Sequence, residues 1–430
     1  MAFRSLLFLT VILLIHPAAR SDDDLPSDAE LAAFNRTSFP SDFLFGASSS
    51  AFQYEGAANV RDKIADHSNA SKADEFYKLH QDDVSRIKNI GLDAFRISIS
   101  WSRLIRYKND TPVLRKRGLE YYNNLINGLL NTSDGQRRVE PFVTLFHWDT
   151  PQFLEEKYGG FLNESIVNDY VEYVNFCFKN FGDRVKHWIT FNEPHNFVGM
   201  GYATGQLAPA AVKLYRNNYT DSQKGKIGIV LNVDWLIPYD KNNASDRQAV
   251  DRAFAFHYGW FMQPIYNGSY PAILALTLQS REMAQILVQR VVLAGSMFTH
   301  GEFRELLLFT KNKYNNPEIY ITENGFSTCN YRDINDTRRT AYHYHHLKYI
   351  KSVLPDVDRV EPAKEKNKNV KGYLLWSLLD DFEWNSGYTV EFGIIHVNYT
   401  EDSLDRKYKH SAKWYKDFLN PMLKEIGSPK

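Results

Sequence analysis

The sequence predicts an α/β protein built as a single (β/α)8 barrel, and three observations support this class. Strand and helix patterns alternate along the chain, which favours a parallel sheet. The strands predicted at His187–Glu193 and Glu318–Thr322 each lead to a glutamate, and Pro194 or Gly325 then interrupts the strand pattern. Of the 430 residues, 43% are hydrophobic, enough for one large core. All strand tips of a parallel barrel meet at one face, so Glu193 and Glu323 are expected to converge there.

Seven strands are well marked by β-branched and aromatic residues between breakers. They are expected at Asp42–Gly46, Ala94–Ser102, Val139–Asp149, His187–Glu193, Lys226–Trp235, Glu318–Thr322 and Val370–Ser377. Helical periodicity predicts Ala73–Ile90, Gly118–Leu130, Asn163–Phe181, Ser245–Tyr266, Glu302–Tyr314, Asp336–Leu354 and His410–Leu419. A closed barrel needs eight strands. Arg290–Ala294 is a poor candidate for the missing one, so strand six is doubtful, and its loss would leave an open sheet edge.

Residues 1–21 read as a signal peptide, which leaves residues 22–430 as the barrel domain. Arg4 supplies a positive start, Leu6–Ile15 is an apolar run of ten residues, and Ala18 and Ala19 are small residues near a cleavage point. A buried N-terminal helix is the alternative. The run is too short to span a bilayer, which takes about 20 helical residues.

Ten Asn-x-Ser/Thr triplets support entry into the secretory pathway and N-glycosylation, with an extracellular or vacuolar destination. They begin at Asn35, Asn69, Asn109, Asn131, Asn163, Asn218, Asn243, Asn267, Asn335 and Asn398.

Charge and cysteine content narrow the function classes. Lys+Arg and Asp+Glu both number 51, so no net charge favours nucleic acid or an anionic membrane as a partner. Of the two cysteines, Cys177 lies on the apolar face of a helical pattern, and Cys329 follows Glu323 in a loop. A disulfide between them stays open. No spaced Cys/His set suggests structural zinc, and no cofactor or metal is expected.

Two carboxyls at one barrel face suit glycoside hydrolysis. One carboxylic acid protonates the leaving oxygen, and the other carboxylate attacks the anomeric carbon or activates a water. The acid needs a raised pKa, and the second carboxylate must stay ionised. Arg96 lies inside a predicted strand, where an unpaired guanidinium would be costly to bury, so it is expected to face a carboxylate. An exposed position on the barrel rim is the alternative.

Short motifs found almost end to end along the chain resemble the plant branch of the retaining β-glucosidases of glycoside hydrolase family 1. The motifs occur in the same order as in the family, which makes the resemblance specific. They are Phe39–Ala47, Phe52–Gly56, Phe95–Arg103, Phe146–Asp149, Thr190–Pro194, Ile321–Gly325, Trp376–Asp380 and Phe382–Tyr388.

This resemblance implies a role for each matching residue. Glu193 would be the acid/base and Glu323 the nucleophile positioned by Arg96. Asn192 would bind the sugar 2-hydroxyl. The remaining implied substrate-binding residues are Gln53, His147, Trp376, Glu383, Trp384 and Phe392. Without the family, His147 would be assigned to the core. Thioglucosidase members resemble this pattern with Gln at the acid position, so Glu193 implies O-glycosides.

Three family segments are absent from the sequence. The Gly-rich stretch and Trp-Asp pair expected after Asn59 are missing, as are a long loop and helix after Gly205. The third gap is the strand ending in Asn-Tyr-Tyr, whose tyrosine would hydrogen-bond the nucleophile. Loss of one positioned donor costs a few kcal/mol of barrier.

Three functions therefore compete. The first is a retaining β-glucosidase that hydrolyses terminal β-D-glucosyl O-glycosides, with a small-molecule β-glucoside or oligosaccharide as partner and a homodimer as candidate assembly. The second is a catalytically impaired family member, namely a sugar-binding or partner-binding pseudoenzyme or a truncated splice product. The third is a metal hydrolase using His343, His345 and His346, whose spacing does not share one helix face well.

Overall fold

The computed structural model describes residues 6–13, 25–56, 64–133, 135–200, 214–233, 235–272, 302–329, 333–354, 369–400 and 403–422. The weak strand candidate Arg290–Ala294 lies outside these residues.

Eight parallel strands form a closed barrel, which confirms the predicted fold class. Seven of them are the expected ones, with bounds that are shorter, shifted or, for β9, longer than expected. The barrel strands are β1 (Leu6–Leu13), β2 (Leu44–Ser48), β3 (Ala94–Ser98), β6 (Glu140–Thr144), β7 (His187–Ile189), β8 (Lys226–Asn232), β9 (Glu318–Phe326) and β10 (Val370–Leu375). Two hairpins stand outside it, β4 (Ile105–Lys108) with β5 (Thr111–Leu114) and β11 (Ile395–Val397) with β12 (Arg406–Tyr408).

The place of the missing sixth strand is taken by β1, from the N-terminal apolar run. β1 pairs in parallel with β8, where Leu6 faces Gly228, and with β9, where Leu13 faces Phe326. Around the barrel the order is β1, β8, β7, β6, β3, β2, β10 and β9. The predicted open edge between β8 and β9 is therefore covered by backbone from residues that the sequence pattern assigns to a leader.

Helices surround the barrel, largely where periodicity predicts them. They are Asp28–Ala33, Ala51–Tyr54, Phe76–Ile90, Trp101–Leu104, Lys116–Leu130, Gln152–Tyr158, Ile166–Phe181, Pro194–Met200, Thr220–Gln223, Ala244–Phe254, Trp260–Asn267, Glu302–Lys313, Thr337–Val353 and His410–Leu419. A π-helical turn at Ala255–Gly259 joins two of them into the single predicted helix. Within the described residues, no helix is long and apolar enough to cross a membrane.

Inward-facing side chains fill the barrel interior in a layer contributed by successive strands. Its members are Ala94, Phe142, Ile189, Val230, Tyr320 and Leu374. Side chains alternate sides along a strand, so the residue two positions later faces the same way. Two positions beyond this layer stand Arg96, Thr144 and Trp376, all buried. The floor of the C-terminal face is therefore polar and aromatic where the layer below is apolar.

Candidate active site

Arg96 on β3 connects several polar residues of this floor. The side chain is fully buried and donates three hydrogen bonds: from Nε to Thr144 Oγ1 (2.8 Å), from Nη2 to Asn192 Oδ1 (2.8 Å) and from Nη1 to Glu323 Oε1. The expectation that Arg96 faces a carboxylate rather than the barrel rim agrees with this geometry. A buried guanidinium with every arm engaged fixes the positions of its partners.

Glu323 lies within β9, which runs on to Phe326, rather than at a strand tip as the sequence pattern predicts. The pairing between β1 and β9 shifts register after Leu9, so that Ile321 and Glu323 face consecutive β1 residues and Thr322 is the extra residue. Such a bulge reverses which side the following residue faces. Tyr320 points into the barrel, and the extra residue brings Glu323 rather than Thr322 to the same side.

Burial raises the pKa of Glu323, and the contact with the Arg96 guanidinium opposes that effect. Among the described residues, Arg96 is the one side chain that hydrogen-bonds the Glu323 carboxylate. This agrees with the absence from the sequence of the family tyrosine that would supply a second bond.

Glu193 follows β7 by four residues and precedes the helix that begins at Pro194. Its backbone takes the left-handed conformation, with φ 41°, and its N–H donates to Val230 O of β8 (3.0 Å). Asn196 Nδ2, one turn later, donates to Glu193 Oε2 (2.8 Å). Burial first, and then the negative charge of Glu323, raise the pKa of Glu193 to about 8. At neutral pH this carboxyl therefore keeps its proton.

Asn192 and His147 form a connected pair beside the two glutamates. Since Asn192 Oδ1 accepts from Arg96, its Nδ2 donates to His147 Nε2 (3.1 Å). His147 therefore carries its proton on Nδ1, where no hydrogen-bond partner lies within the described residues. Burial, assisted by the positive charge of Arg96, holds the pKa of His147 well below its usual value, so the ring is neutral.

A second pair of carboxyls flanks the site, and the sequence reasoning found only one of them. Gln53 Nε2 donates to Glu383 Oε2 (3.1 Å) and to Asp381 Oδ1 (3.4 Å). Burial raises the pKa of Glu383 to about 7, with the charge of Glu323 adding to the shift and Asp381 opposing it. Burial and Glu383 raise the pKa of Asp381 well above its usual value. Asp381 was not predicted as a site residue. Its position directly after the family motif Trp376–Asp380 was the sequence signal available for it.

An aromatic cluster closes the other side of the site. The Trp376 ring lies 6.2 Å from that of His147, and the Trp376–Ser377 peptide is cis. The Trp384 ring stacks on Phe52 (5.1 Å, 4° between planes) and packs on Trp148 (4.8 Å). Both partners lie in family motifs named above, Phe52–Gly56 and Phe146–Asp149, but neither was assigned a site role from the sequence.

Phe392, the last predicted substrate contact, is buried. A Cβ at Gly325 would lie 3.2 Å from its ring. The structure thus brings Phe392 to the strand end that follows Glu323.

A network of buried charged residues holds the loop that leads to β11 in place. Lys409 Nζ donates to Asp380 Oδ1 (2.7 Å) and to Glu391 Oε2 (2.8 Å), and His396 Nδ1 lies 3.1 Å from Asp380 Oδ2. Asp380, Glu391 and His396 are close enough together to ligate a metal, the one such group within the described ranges. The Lys409 ammonium already balances the charge of the Asp380 and Glu391 carboxylates. We therefore interpret the group as a structural ion-pair network.

The histidines of the metal-hydrolase alternative are engaged elsewhere. On the helix Thr337–Val353, His343 Nδ1 lies 2.7 Å from Tyr373 Oη, and His346 Nδ1 lies 2.8 Å from Tyr342 O. In the described part of the chain they join no cluster of metal ligands. The two cysteines are unpaired, with Cys177 buried and Cys329 exposed.

Eight of the ten sequon asparagines are exposed. The other two, Asn35 and Asn398, are half-buried.

Two buried carboxyls held by different partners at the C-terminal face of a parallel barrel, beside aromatic rings and buried polar side chains, define the class of barrel glycosidases. Comparison with known proteins gives the family. The model of glycosyl hydrolase family 1 matches residues 35–220, 210–297 and 294–422, and the chain belongs to this family.

Its relatives include plant enzymes. The chain is 37% identical to "Beta-glucosidase 11" of Oryza sativa, with 95% of this chain and 94% of that protein covered. It is 36% identical to "Furcatin hydrolase" of Viburnum furcatum, with 88% and 86% covered. Among solved structures, the rice Os3BGlu6 β-glucosidase superposes with a TM-score of 0.77 at 30% identity, over 90% of this chain and 100% of that chain.

These alignments also support the shortened length of the chain. The alignment with "Beta-glucosidase 11" of Oryza sativa spans 514 positions, which exceeds the 430 residues of this chain by 84. At least that many positions of the alignment therefore face a gap in this chain, as expected for a chain that lacks segments of its family.

Proposed function

We propose that this chain is a retaining β-glucosidase that hydrolyses terminal β-D-glucosyl O-glycosides, with Glu323 as nucleophile and Glu193 as acid/base. The observation that carries this proposal is the difference between the two carboxyls. Burial raises the pKa of both carboxyls, but at Glu323 the buried Arg96 guanidinium opposes this rise, whereas at Glu193 the negative charge of Glu323 adds to it and the pKa reaches about 8. Two titratable groups whose surroundings push their pKa values apart supply an acid and a base at one pH.

The reaction follows from these protonation states. Glu323 attacks the anomeric carbon as the glycosidic C–O bond breaks, and Glu193 gives its proton to the leaving oxygen. A covalent glucosyl–Glu323 ester results. Water then attacks the same carbon, Glu193 takes a proton from that water, and the Glu323 carboxylate leaves. Two displacements at one carbon retain its configuration.

Sugar recognition is assigned to the polar groups around the carboxyls. The His147 Nδ1–H is available to a sugar hydroxyl, and the Gln53 and Glu383 side chains support a second hydroxyl contact. Trp376 and Trp384 supply apolar faces for the C–H surface of the ring. Phe392 is assigned to the end of the sugar that carries the 6-hydroxyl.

The test is hydrolysis of 4-nitrophenyl β-D-glucoside by the wild type, by Glu323→Gln and by Glu318→Gln. Glu318 lies at the opposite end of the same strand and pairs with Lys226, so it controls for replacing a β9 carboxylate by an amide. We expect turnover in the wild type and the control and its loss in Glu323→Gln. Added azide should then restore product from Glu323→Ala as α-glucosyl azide.

Two results would contradict the proposal. Soluble, cooperatively melting wild type without turnover supports the impaired relative, for which the missing segments are the reason. Turnover that survives Glu323→Gln would remove the nucleophile assignment.

We further propose that residues 1–21 direct the chain into the secretory pathway, with glycosylation at the sequons and an extracellular or vacuolar destination. The same residues contain β1, so cleavage of the leader and closure of the barrel by β1 are alternative fates of one segment. Intact-mass measurement on the deglycosylated secreted protein distinguishes a chain that starts near Asp22 from one that retains β1. The homodimer is a proposal tested by sedimentation velocity.

A further inference from the structure

A cavity of about 1100 Å³ opens beside the sugar site. Its walls come from Phe52, the helix Trp101–Leu104, the β4–β5 hairpin with the start of the helix Lys116–Leu130, and Trp148 to Thr150. The Phe52 and Trp148 rings, which line the cavity, both pack on Trp384, so the cavity and the proposed sugar site adjoin at these rings.

Cationic side chains dominate the lining of this cavity. Arg106, Arg115, Lys116 and Arg117 line it and are exposed. Lys116 pairs loosely with Glu120 (3.8 Å). For the three arginines, the described residues provide no carboxylate within ion-pair distance. Free guanidinium groups that converge on one concave surface attract anions and match the planar geometry of carboxylate and phosphate oxygens.

Three acids, Glu55, Asp149 and Glu155, line the cavity beside five cationic residues, which include Arg103. Glu55 is taken by Arg103 (2.6 Å) and by the Tyr122 hydroxyl (3.0 Å). Both oxygens of the Asp149 carboxyl are buried and lack a hydrogen bond of normal geometry among the described residues, although the Ser100 side chain is near enough to lower its pKa. Burial raises its pKa to about 8, so at neutral pH Asp149 is an uncharged O–H donor. A buried carboxyl without a hydrogen bond of normal geometry, in a cavity that free cations also line, indicates a ligand that would engage both.

We propose that this cavity binds an anionic group, a carboxylate or phosphate, carried by the aglycone of the glucoside substrate. The proposal rests on the proposed glucosidase function. Its position next to the acid/base assigns the cavity to the aglycone. The Trp148 indole N–H donates to Asn192 O (2.9 Å), one residue before Glu193, and Phe197, whose N–H donates to Glu193 O (3.1 Å), also lines the cavity.

The test compares two substrates that differ by one charge, the β-D-glucoside of 4-hydroxybenzoate and that of its methyl ester. The ester is the better leaving group, so chemistry alone favours it. We expect kcat/KM for the acid to exceed that for the ester by about tenfold at low salt, with the preference falling as salt is added, since charge-assisted hydrogen bonds carry it. The double variant Arg106→Gln/Arg115→Gln should lose the preference and keep activity on the ester.

Arg138→Gln is the matched control, because Arg138 is an exposed arginine that pairs with Glu140 at the first residue of β6, away from the cavity. It should leave the preference unchanged. Equal kcat/KM for both substrates in the wild type, or a preference that survives the double variant, overturns the proposal.

Two further arms separate the remaining outcomes. Inorganic phosphate that binds the wild type but not the double variant, with no preference between the two glucosides, would make the ligand a free anion and overturn the aglycone assignment. If the wild type hydrolyses neither glucoside, the proposed function fails. Calorimetric titration of Glu323→Ala with both glucosides then tests the cavity independently, and equal affinities overturn it.

Discussion

Replacement of the acid by its amide tests the protonation state that the structure assigns to Glu193. Glu193→Gln keeps the shape and the hydrogen bond with Asn196 but can neither give nor take a proton. General acid catalysis contributes about 10²–10⁴ in rate. For a substrate with a poor leaving group, such as an unsubstituted phenyl β-glucoside, we expect kcat/KM to fall by that factor, or about 3–5 kcal/mol of barrier.

The pH dependence of kcat/KM gives a second quantitative prediction for Glu193. With a pKa of about 8, Glu193 is protonated in about nine-tenths of molecules at pH 7 and about one-tenth at pH 9. Because the protonated form is the active one, kcat/KM should fall tenfold per pH unit well above pH 8. Glu193→Gln has no proton to lose, so its profile should lack this alkaline limb.

The assay is kcat/KM from pH 5 to 10 on phenyl and 2,4-dinitrophenyl β-glucosides. The dinitrophenolate leaves without a proton, so for this substrate kcat/KM, which reports the first displacement, should hardly change in the variant. Equal losses on both substrates, or an alkaline limb near pH 8 that persists in Glu193→Gln, would refute the assignment of the acid.

Three further outcomes follow from particular contacts. Asn196→Ala removes the donor that lowers the pKa of the acid, so the alkaline limb of kcat/KM should move above pH 8; an unmoved limb would contradict that contact. Lys409→Met leaves the Asp380 and Glu391 carboxylates buried without their cation, which should cost about 3–5 kcal/mol of unfolding free energy in urea titrations. In the wild type burial raises the pKa of Asp380, but Lys409, His396 and Arg339 together outweigh burial and the pKa is lowered on balance. This stability is therefore present above pH 3.8 and is lost as pH falls through the lower folded value; a melting temperature that is flat down to pH 3 would refute it. A chain of residues 22–430 lacks β1, and its melting temperature should drop by many degrees relative to the full chain; equal melting would mean that β1 contributes nothing.

Much of the site could be predicted because strand periodicity and motifs carry it. Strand breakers placed Glu193 and Glu323 near the barrel face, and the cost of burying a lone guanidinium linked Arg96 to a carboxylate. Family motifs added Gln53 and His147. Each of these inferences depends on residues that are close in sequence or on a general energetic rule.

The rest could not be predicted, for physical reasons. An apolar run of ten residues has the same composition whether it is a leader or a buried strand, so Leu6–Leu13 was not recognised as β1. The bulge at Thr322 arises from pairing with that strand, so the side of β9 that Glu323 faces was not evident from β9 alone. The cationic cavity joins arginines of a hairpin and a helix start, whose proximity depends on the tertiary fold.

The position of β1 in the sequence also constrains when the barrel can close during synthesis. The ribosome delivers Leu6–Leu13 before the other barrel strands, yet this strand needs both β8 and β9, and Phe326 follows Leu13 by 313 residues. The segment must stay unpaired through most of synthesis, and the gap between β8 and β9 presents unpaired backbone until it returns. Closure over such a sequence distance is slow because the loop entropy is lost before the contacts form. During that interval the unpaired segment and the open gap are both accessible to chaperones and to other chains.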